Sequence, residues 1–348
     1  MKILLLGAFG NGALENYYVQ GLLAKNADIE TFDITRDYYG ALERSIVNKV
    51  INKIKPAVYF KPINRDLLQY ISGKKYDAII VFKGYTIFPD TLKQLKQFTK
   101  LLCCYNPDHP FRFFSEGSGN DNVKDSIDLY DFYLTYAENI TRDIKQLYKT
   151  DCYTIPFGYD DTNSDNISFP PFSANEAAGK WVFIGSYDSE RAAFLNDLNE
   201  QHIIIYGDAK WKTRNQLSKI IQSSYAGRSL YAEDYKAAIH NSMGVFNWLR
   251  KQNIEEGSHN MRTFEVPGYG GVLIANRTEE QLNFFEENKE AIYFDCIEEL
   301  KDKLVYLKTH NEEVEKIKVA AWKRCRRSNY SYLHRSALLY NILTRYLR

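Results

Sequence analysis

Arg262 and Glu265 stand three residues apart in the stretch MRTFEVPGYGGVLIAN (261–276), just ahead of a glycine-and-proline turn and the apolar run Val272 to Ala275. On a helix that spacing puts both side chains on one face. At the carboxyl end of a buried parallel strand, such a carboxylate accepts two hydrogen bonds from a ribose diol, and such a guanidinium grips a phosphate. A plain surface ion pair is the alternative, and it contributes little. That alternative gives no reason for Gly268, Gly270 and Gly271, which let the backbone come close to a ligand. The stretch FIGSYDSER (183–191) sets Gly185 and Ser186 directly after a strand, with Arg191 on the opening turn of the next helix. Free amides at a helix N-terminus, a glycine and a cation suit a phosphate or diphosphate, although an ordinary strand-to-helix turn looks much the same. In SLYAEDYK (229–236) the backbone and aromatic groups around Leu230 and Tyr231 could hold a nucleobase, while Glu233 and Asp234 favour the dipole of the following helix.

The first half offers a different set. CCYNPDHPFRFF (103–114) carries Asp108, His109 and Arg112 in a proline-bounded loop after a strand. An Asp–His pair there is a candidate for acid–base chemistry, though a single histidine is more often a structural hydrogen-bonder. The glycines of GAFGNG (Gly7, Gly10, Gly12) are spaced GxxGxG, not the GxGxxG of a dinucleotide loop. Asn11 and Glu15 are the contacts this loop could offer a ligand. Glu30 and Asp33 follow near the distance at which a dinucleotide fold places its ribose acid.

These residues need a scaffold. Apolar runs at 3–6, 29–33, 77–82, 100–105, 132–135 and 153–156 alternate with amphipathic stretches, for example 89–98 and 138–150. A second series runs through 180–186, 202–207, 244–248, 270–276 and 291–295, separated by helical segments. Such alternation predicts α/β architecture with parallel sheets covered on both faces. Between the two series, 157–179 is polar and aperiodic with Pro170 and Pro171, and reads as an interdomain linker. The expected organisation is a first domain over 1–165, a linker at 166–179, a second domain over 180–320, and a terminal helix over 321–348. Ligands of such sheets bind at the carboxyl ends of the strands, so the chemistry is expected in a cleft between the domains.

With 348 residues, two domains of ordinary size are expected. Lys and Arg number 45 against 44 Asp and Glu, a balance that argues for neither nucleic acid nor an acidic membrane surface. Five scattered cysteines without CxxC spacing predict a reducing compartment, no disulfide framework and no zinc site. The first apolar run is too short for a signal-peptide core, and no run approaches a membrane span, so a cytoplasmic protein is expected.

RTFEVPGYGGVLIAN, followed by FFEENKEAIYFDCIEELKDKLVYL, resembles the carboxyl-terminal signature of the group 1 glycosyltransferases, closest to the branch typified by the spore maturation protein CgeB. FIGSYDSER and the late YSYLHR (330–335) support the likeness, which covers most of the chain and is weaker in its first half. The resemblance implies a GT-B fold: two Rossmann-like doubly wound domains facing a cleft, with a terminal helix crossing back to the first. It implies sugar transfer from a UDP-, GDP- or dTDP-linked donor to an acceptor hydroxyl, mostly with retention, with neither metal nor cofactor. Glu265 matches the family's ribose-binding glutamate, Gly185 and Arg191 its diphosphate loop and cation, and the segment around Tyr231 its base-binding loop. Ser186 and Arg262 join the donor nucleotide set. Asp108 or His109 takes the place of a cleft group that meets the donor sugar, and either, or Glu15, is the base if the reaction inverts. The glutamate usually found eight residues before the ribose glutamate is replaced by Gly257. His259 and Asn260 are then the expected substitutes at the donor sugar, with Gly10, Asn11 and Gly12 beside sugar or acceptor. The acceptor stays open among glycan, lipid, protein, small molecule and modified nucleic acid. The alternatives are a nucleotide-sugar epimerase, a dinucleotide-dependent oxidoreductase, and a non-catalytic nucleotide-sugar-binding relative.

Overall fold

The computed structural model describes residues 1–112, 119–161, 175–198, 201–214, 217–256 and 259–348. The expected linker residues 166–174 and Gly257 lie outside the described residues. The chain divides into two compact units, Met1–Pro156 with Leu333–Arg348, and Phe157–Tyr332.

The first unit carries six strands: β1 (Lys2–Gly7), β2 (Asp28–Asp33), β3 (Tyr76–Phe82), β4 (Thr99–Asn106), β5 (Phe132–Thr135) and β6 (Asp151–Thr154). They form one parallel sheet in the order β2-β1-β3-β4-β5-β6, with Leu5 opposite both Thr31 and Ile80. Ile3 to Leu6 and Ala78 to Val81 are fully buried, which is why these strands read as continuous apolar runs rather than alternating ones. The order reverses between β1 and β3, so their carboxyl ends define a topological switch point.

The second unit carries β7 (Trp181–Ile184), β8 (Ile203–Tyr206), β9 (Gly244–Asn247), β10 (Leu273–Asn276) and β11 (Ile292–Phe294), all parallel, in the order β11-β10-β9-β7-β8. Its switch point lies between β7 and β9. Trp181, Phe183, Phe246 and Ile274 from the strands pack with Leu195, Leu304 and Ile317 from the helices into one core.

The tail, expected as one terminal helix over 321–348, holds parts of two helices, Asn311–Arg327 and Tyr332–Tyr346. Asn329 takes a left-handed φ of +58° between them, a conformation that Asn tolerates better than most residues. The Tyr330 N–H closes the first helix on the Cys325 carbonyl at 3.0 Å. Ser331 then bridges Tyr159. The first helix completes the core of the second unit through Val314 and Ile317. The terminal helix returns to the first unit: Leu339 and Leu343 are fully buried, and the Tyr346 ring lies 4.7 Å from that of Phe132. The Tyr346 hydroxyl donates to Asp151 Oδ2 at 2.7 Å. No helix among the described residues is long and apolar enough to cross a membrane.

Candidate functional site

Three arginines converge at the switch point of the second unit. Asp188 caps the helix Ser189–Asp197, its Oδ1 accepting the Arg191 N–H at 3.0 Å. Its Oδ2 receives Arg250 Nε at 2.6 Å, and Arg250 follows β9. Arg191 turns back over its own loop, Nη1 donating to the Ser186 carbonyl at 3.0 Å. Arg262, from the helix Met261–Gly268, completes the group. Above the Gly185 Cα is an opening where a methyl group would lie 3.4 Å from Arg191 Nη1 and 3.5 Å from Arg262 Nη2. Asp188 pairs with both Arg191 and Arg250, and among the described residues Arg262 makes no ion pair, its buried Nε having no hydrogen-bond partner. Burial, reinforced by Arg250 and Arg262, pulls the Arg191 guanidinium down to about 10. A bound anion would relieve that repulsion. The sequence reading joined the helix amides with Gly185 and the Arg191 cation as a setting for a phosphate or diphosphate. The Asp188 side chain caps that helix terminus, and the guanidinium groups of Arg191 and Arg262 are the charged groups nearest Gly185.

Arg262 and Glu265 do share a helix face. Glu265 is buried, and its Oε2 accepts the Tyr235 hydroxyl at 2.7 Å. Burial raises this carboxyl above its ordinary value, opposed by Tyr235 and by the charge of Arg262. Among the described residues Tyr235 alone bonds the carboxylate, which leaves accepting capacity for a diol. Tyr235 belongs to the helix Ala232–Asn241, whose N-cap is Tyr231. Tyr231 is exposed, and Ala232 after it has a φ of +48°, strained for a residue with a side chain. Glu265 thus ties the helix that carries Arg262, through Tyr235, to the helix that begins at Tyr231. The glycines of the motif serve the protein rather than a ligand. A methyl on Gly268 would meet the Tyr159 ring at 2.4 Å, one on Gly271 would meet Ile239 at 2.5 Å, and Gly270 turns the chain at φ +74°.

The two residues expected at the donor sugar hold the start of this helix. Asn260 is its N-cap; the backbone N–H donates to Thr263 Oγ1 at 3.3 Å and the side-chain amide to Asn247 Oδ1 at 2.9 Å. His259 is 1 % exposed, with Nδ1 at 2.9 Å from Glu280 and its ring edge-on to Phe157, Phe264 and Phe284. It is a core ring, with no surface to offer a sugar.

In the first unit, Glu15, Asp33, Lys83 and Asp108 gather at the carboxyl ends of β1 to β4. The Glu15 Oε1 accepts the Ala8 N–H at 2.9 Å, and its side chain fills the space a methyl on Gly7 would need. Burial raises this carboxyl, Ala8 and Lys83 opposing and Asp33 adding to the rise. Lys83, at φ +61° after β3, pairs with Asp108 at 2.5 Å. Sequence reading overlooked this lysine, and its position at the switch point is a feature of topology. His109 is buried, its Nδ1 accepting the Phe111 N–H at 3.4 Å, and burial pushes the ring down to about 4. The GAFGNG loop is open: Gly10, Asn11 and Gly12 are exposed, Gly12 at φ +72°. Glu30, weighed as a dinucleotide acid, lies within β2 and is held by Lys2, Lys74 and Tyr76.

Residues 191–341 match a family model described as glycosyl transferase-like. No curated protein matches the chain. Its fold is similar to that of sucrose-phosphate synthase from Thermosynechococcus elongatus, with 12% identity, 99% and 98% of the two chains covered and a TM-score of 0.65. It is also similar to Anabaena HepE in complex with UDP-glucose, at 11% identity, 99% of each chain and a TM-score of 0.61. UDP-GlcNAc 2-epimerase from Neisseria meningitidis bound to UDP-GlcNAc aligns over 99% and 100% of the two chains, at 10% identity and a TM-score of 0.54. The fold is GT-B, two Rossmann-like parallel-sheet domains, and the portion from Arg191 onward is glycosyl transferase-like in sequence.

Proposed function

We propose that the chain is a glycosyltransferase of the CgeB-like branch, moving a hexosyl group from a nucleoside-diphosphate-sugar to an acceptor hydroxyl. The observation that carries this reading is the pair Arg191 and Arg262 at Gly185, with Arg262 one turn of helix from the buried, incompletely satisfied Glu265 carboxylate. Arg191 and Arg262 bind the diphosphate, with Gly185 and Ser186 beneath it. Glu265 takes the ribose diol, and the loop at Tyr231 takes the base. In the reaction the bond from the anomeric carbon to the phosphate oxygen breaks and one to the acceptor oxygen forms. Under retention the departing phosphate accepts the acceptor proton, and the arginines neutralise its charge. No metal is required by that chemistry. Under inversion a carboxylate takes the proton, and Glu15, lifted by burial, suits that role better than Asp108, which Lys83 already holds. His109 then acts as a neutral hydrogen-bond donor. Gly10, Asn11 and Gly12 line the acceptor side in this reading.

The test is a thermal-shift panel of UDP, GDP, dTDP, ADP and NAD, followed by assay of the corresponding nucleotide-sugars. Stabilisation by one nucleoside diphosphate is expected. Stabilisation by NAD alone would replace this reading with an oxidoreductase. A nucleotide-sugar epimerase is the second reading, because the fold is shared with an epimerase bound to UDP-GlcNAc. An epimerase returns the sugar still attached to the nucleotide, whereas transfer leaves free nucleoside diphosphate in proportion to acceptor consumed.

A further inference from the structure

The helix Ile46–Ile54 in the first unit is turned inside out with respect to the rest of the molecule. Its polar side faces the protein: Asn52 is buried, donating to the Tyr38 hydroxyl at 2.9 Å, and the Asn48 amide donates to the Ala41 carbonyl at 2.7 Å. Its apolar side faces outward. Ile46, Val50 and Ile54 recur every four residues with Val47 and Ile51 beside them, an arc of about 140° at 100° per residue. Ile46 is 80% exposed, Val47 63% and Ile54 71%, and exposed Val58 extends the patch into the next helix. Single exposed aliphatic residues need no explanation, but six together at helical spacing do.

The charges along this stretch of the chain are of one sign. From Arg44 to Arg65 the chain has six basic residues and no Asp or Glu, in a protein otherwise balanced at 45 to 44. Lys49, Lys53, Lys55 and Lys61 are all exposed, and among the described residues none pairs with a carboxylate. On the helical projection Lys53 and Lys55 border the two edges of the apolar arc, where their stems lie along apolar surface and their ammonium groups reach outward.

We infer that this face docks on an anionic lipid bilayer, the helix Ile46–Ile54 lying in the plane of the interface with its isoleucines and valines among the acyl chains and its lysines at the headgroups. Other occupants fit less well. A two-fold contact with a second copy sets the same patch against itself, so lysines meet lysines with no carboxylate between them. The inference does not depend on the glycosyl-transfer reading.

The full chain is tested by co-sedimentation with phosphatidylcholine vesicles, with and without phosphatidylglycerol, and its oligomeric state is followed by light scattering. Binding to the anionic vesicles alone is expected, falling in high salt as the headgroup attraction is screened. V50N/I54N and K49E/K53E, both on the exposed face, should each weaken it by about tenfold or more without changing the melting temperature. Absence of binding to anionic vesicles, or binding that both double variants leave unchanged, overturns the inference. So does a dimer in solution that V50N/I54N converts to monomer, which would make the patch a self-interface.

Discussion

At the scale of single residues, the proposed donor site rests on clustered guanidinium groups and on one buried carboxylate. Glu265→Ala should weaken nucleotide binding by about 1–3 kcal/mol, the size of charge-assisted hydrogen bonds to a ribose, while circular dichroism shows the fold intact. The carboxylate also sets a pH dependence. Burial raises its folded-state value above the ordinary one, so the folded chain keeps this proton to higher pH than the unfolded chain. Its stability contribution therefore falls as pH rises through that window. Hydroxyl donors favour the ionised form, so nucleotide binding should release a proton and strengthen with pH across the same window. Titration calorimetry in buffers of different ionisation enthalpy reads the proton release, which Glu265→Gln should abolish. Arg191→Ala and Arg262→Ala should weaken nucleoside diphosphate binding by about 1.5–3 kcal/mol each and leave nucleoside binding nearly unchanged, as expected of hydrogen bonds to a charged group. Equal losses for both ligands would remove the guanidinium groups from the phosphate.

At the scale of elements, the helix Met261–Gly268 carries both Arg262 and Glu265, and its position depends on close backbone packing. Gly268 lies against the face of Tyr159 with no room for a methyl group. Gly268→Ala should destabilise the protein by about 1–3 kcal/mol as an overpacked core does. The loss should shrink in the background of Tyr159→Leu, because the two changes share one contact. Urea unfolding of the four proteins in that cycle measures it; additive losses would show that Tyr159 does not confine Gly268. The same logic explains why the glycines, read as openings for a ligand, turned out to be sites where the protein meets itself.

At the scale of the whole molecule, the residues proposed for the donor belong to the unit Phe157–Tyr332 and the group at Lys83 to the other. Hydrogen exchange with bound nucleoside diphosphate should therefore slow amides at 185–191, 231–235 and 260–265, with little change at 7–15 or 105–110. Protection confined to the first unit would relocate the donor. The net charge of +1 conceals a segregation at this scale. The 22 residues from Arg44 to Arg65 carry no Asp or Glu, where a chain-wide count had argued against nucleic acid and an acidic membrane surface.

Much of this was legible in the sequence because periodicity is local. Continuous apolar runs such as Ile3 to Leu6 and Ala78 to Val81 identify doubly covered parallel strands without any knowledge of their neighbours. The three-residue interval between Arg262 and Glu265 already places them on one helix face. The break in the tail was not legible, since it depends on one left-handed Asn329 and on Ser331 meeting Tyr159, 172 positions away by their numbers. Nor was the role of His259, because Phe157 and Phe284, distant in sequence, join Phe264 in making it a core ring. Arg250 and Lys83 follow separate strands and carry no motif. Strand order alone brings them to the switch points, Arg250 beside Asp188 and Lys83 beside Asp108. Residue type and spacing determined which groups were available for chemistry. Tertiary structure decided which of them meet, because burial and charge pairing are set by neighbours that the linear chain does not show.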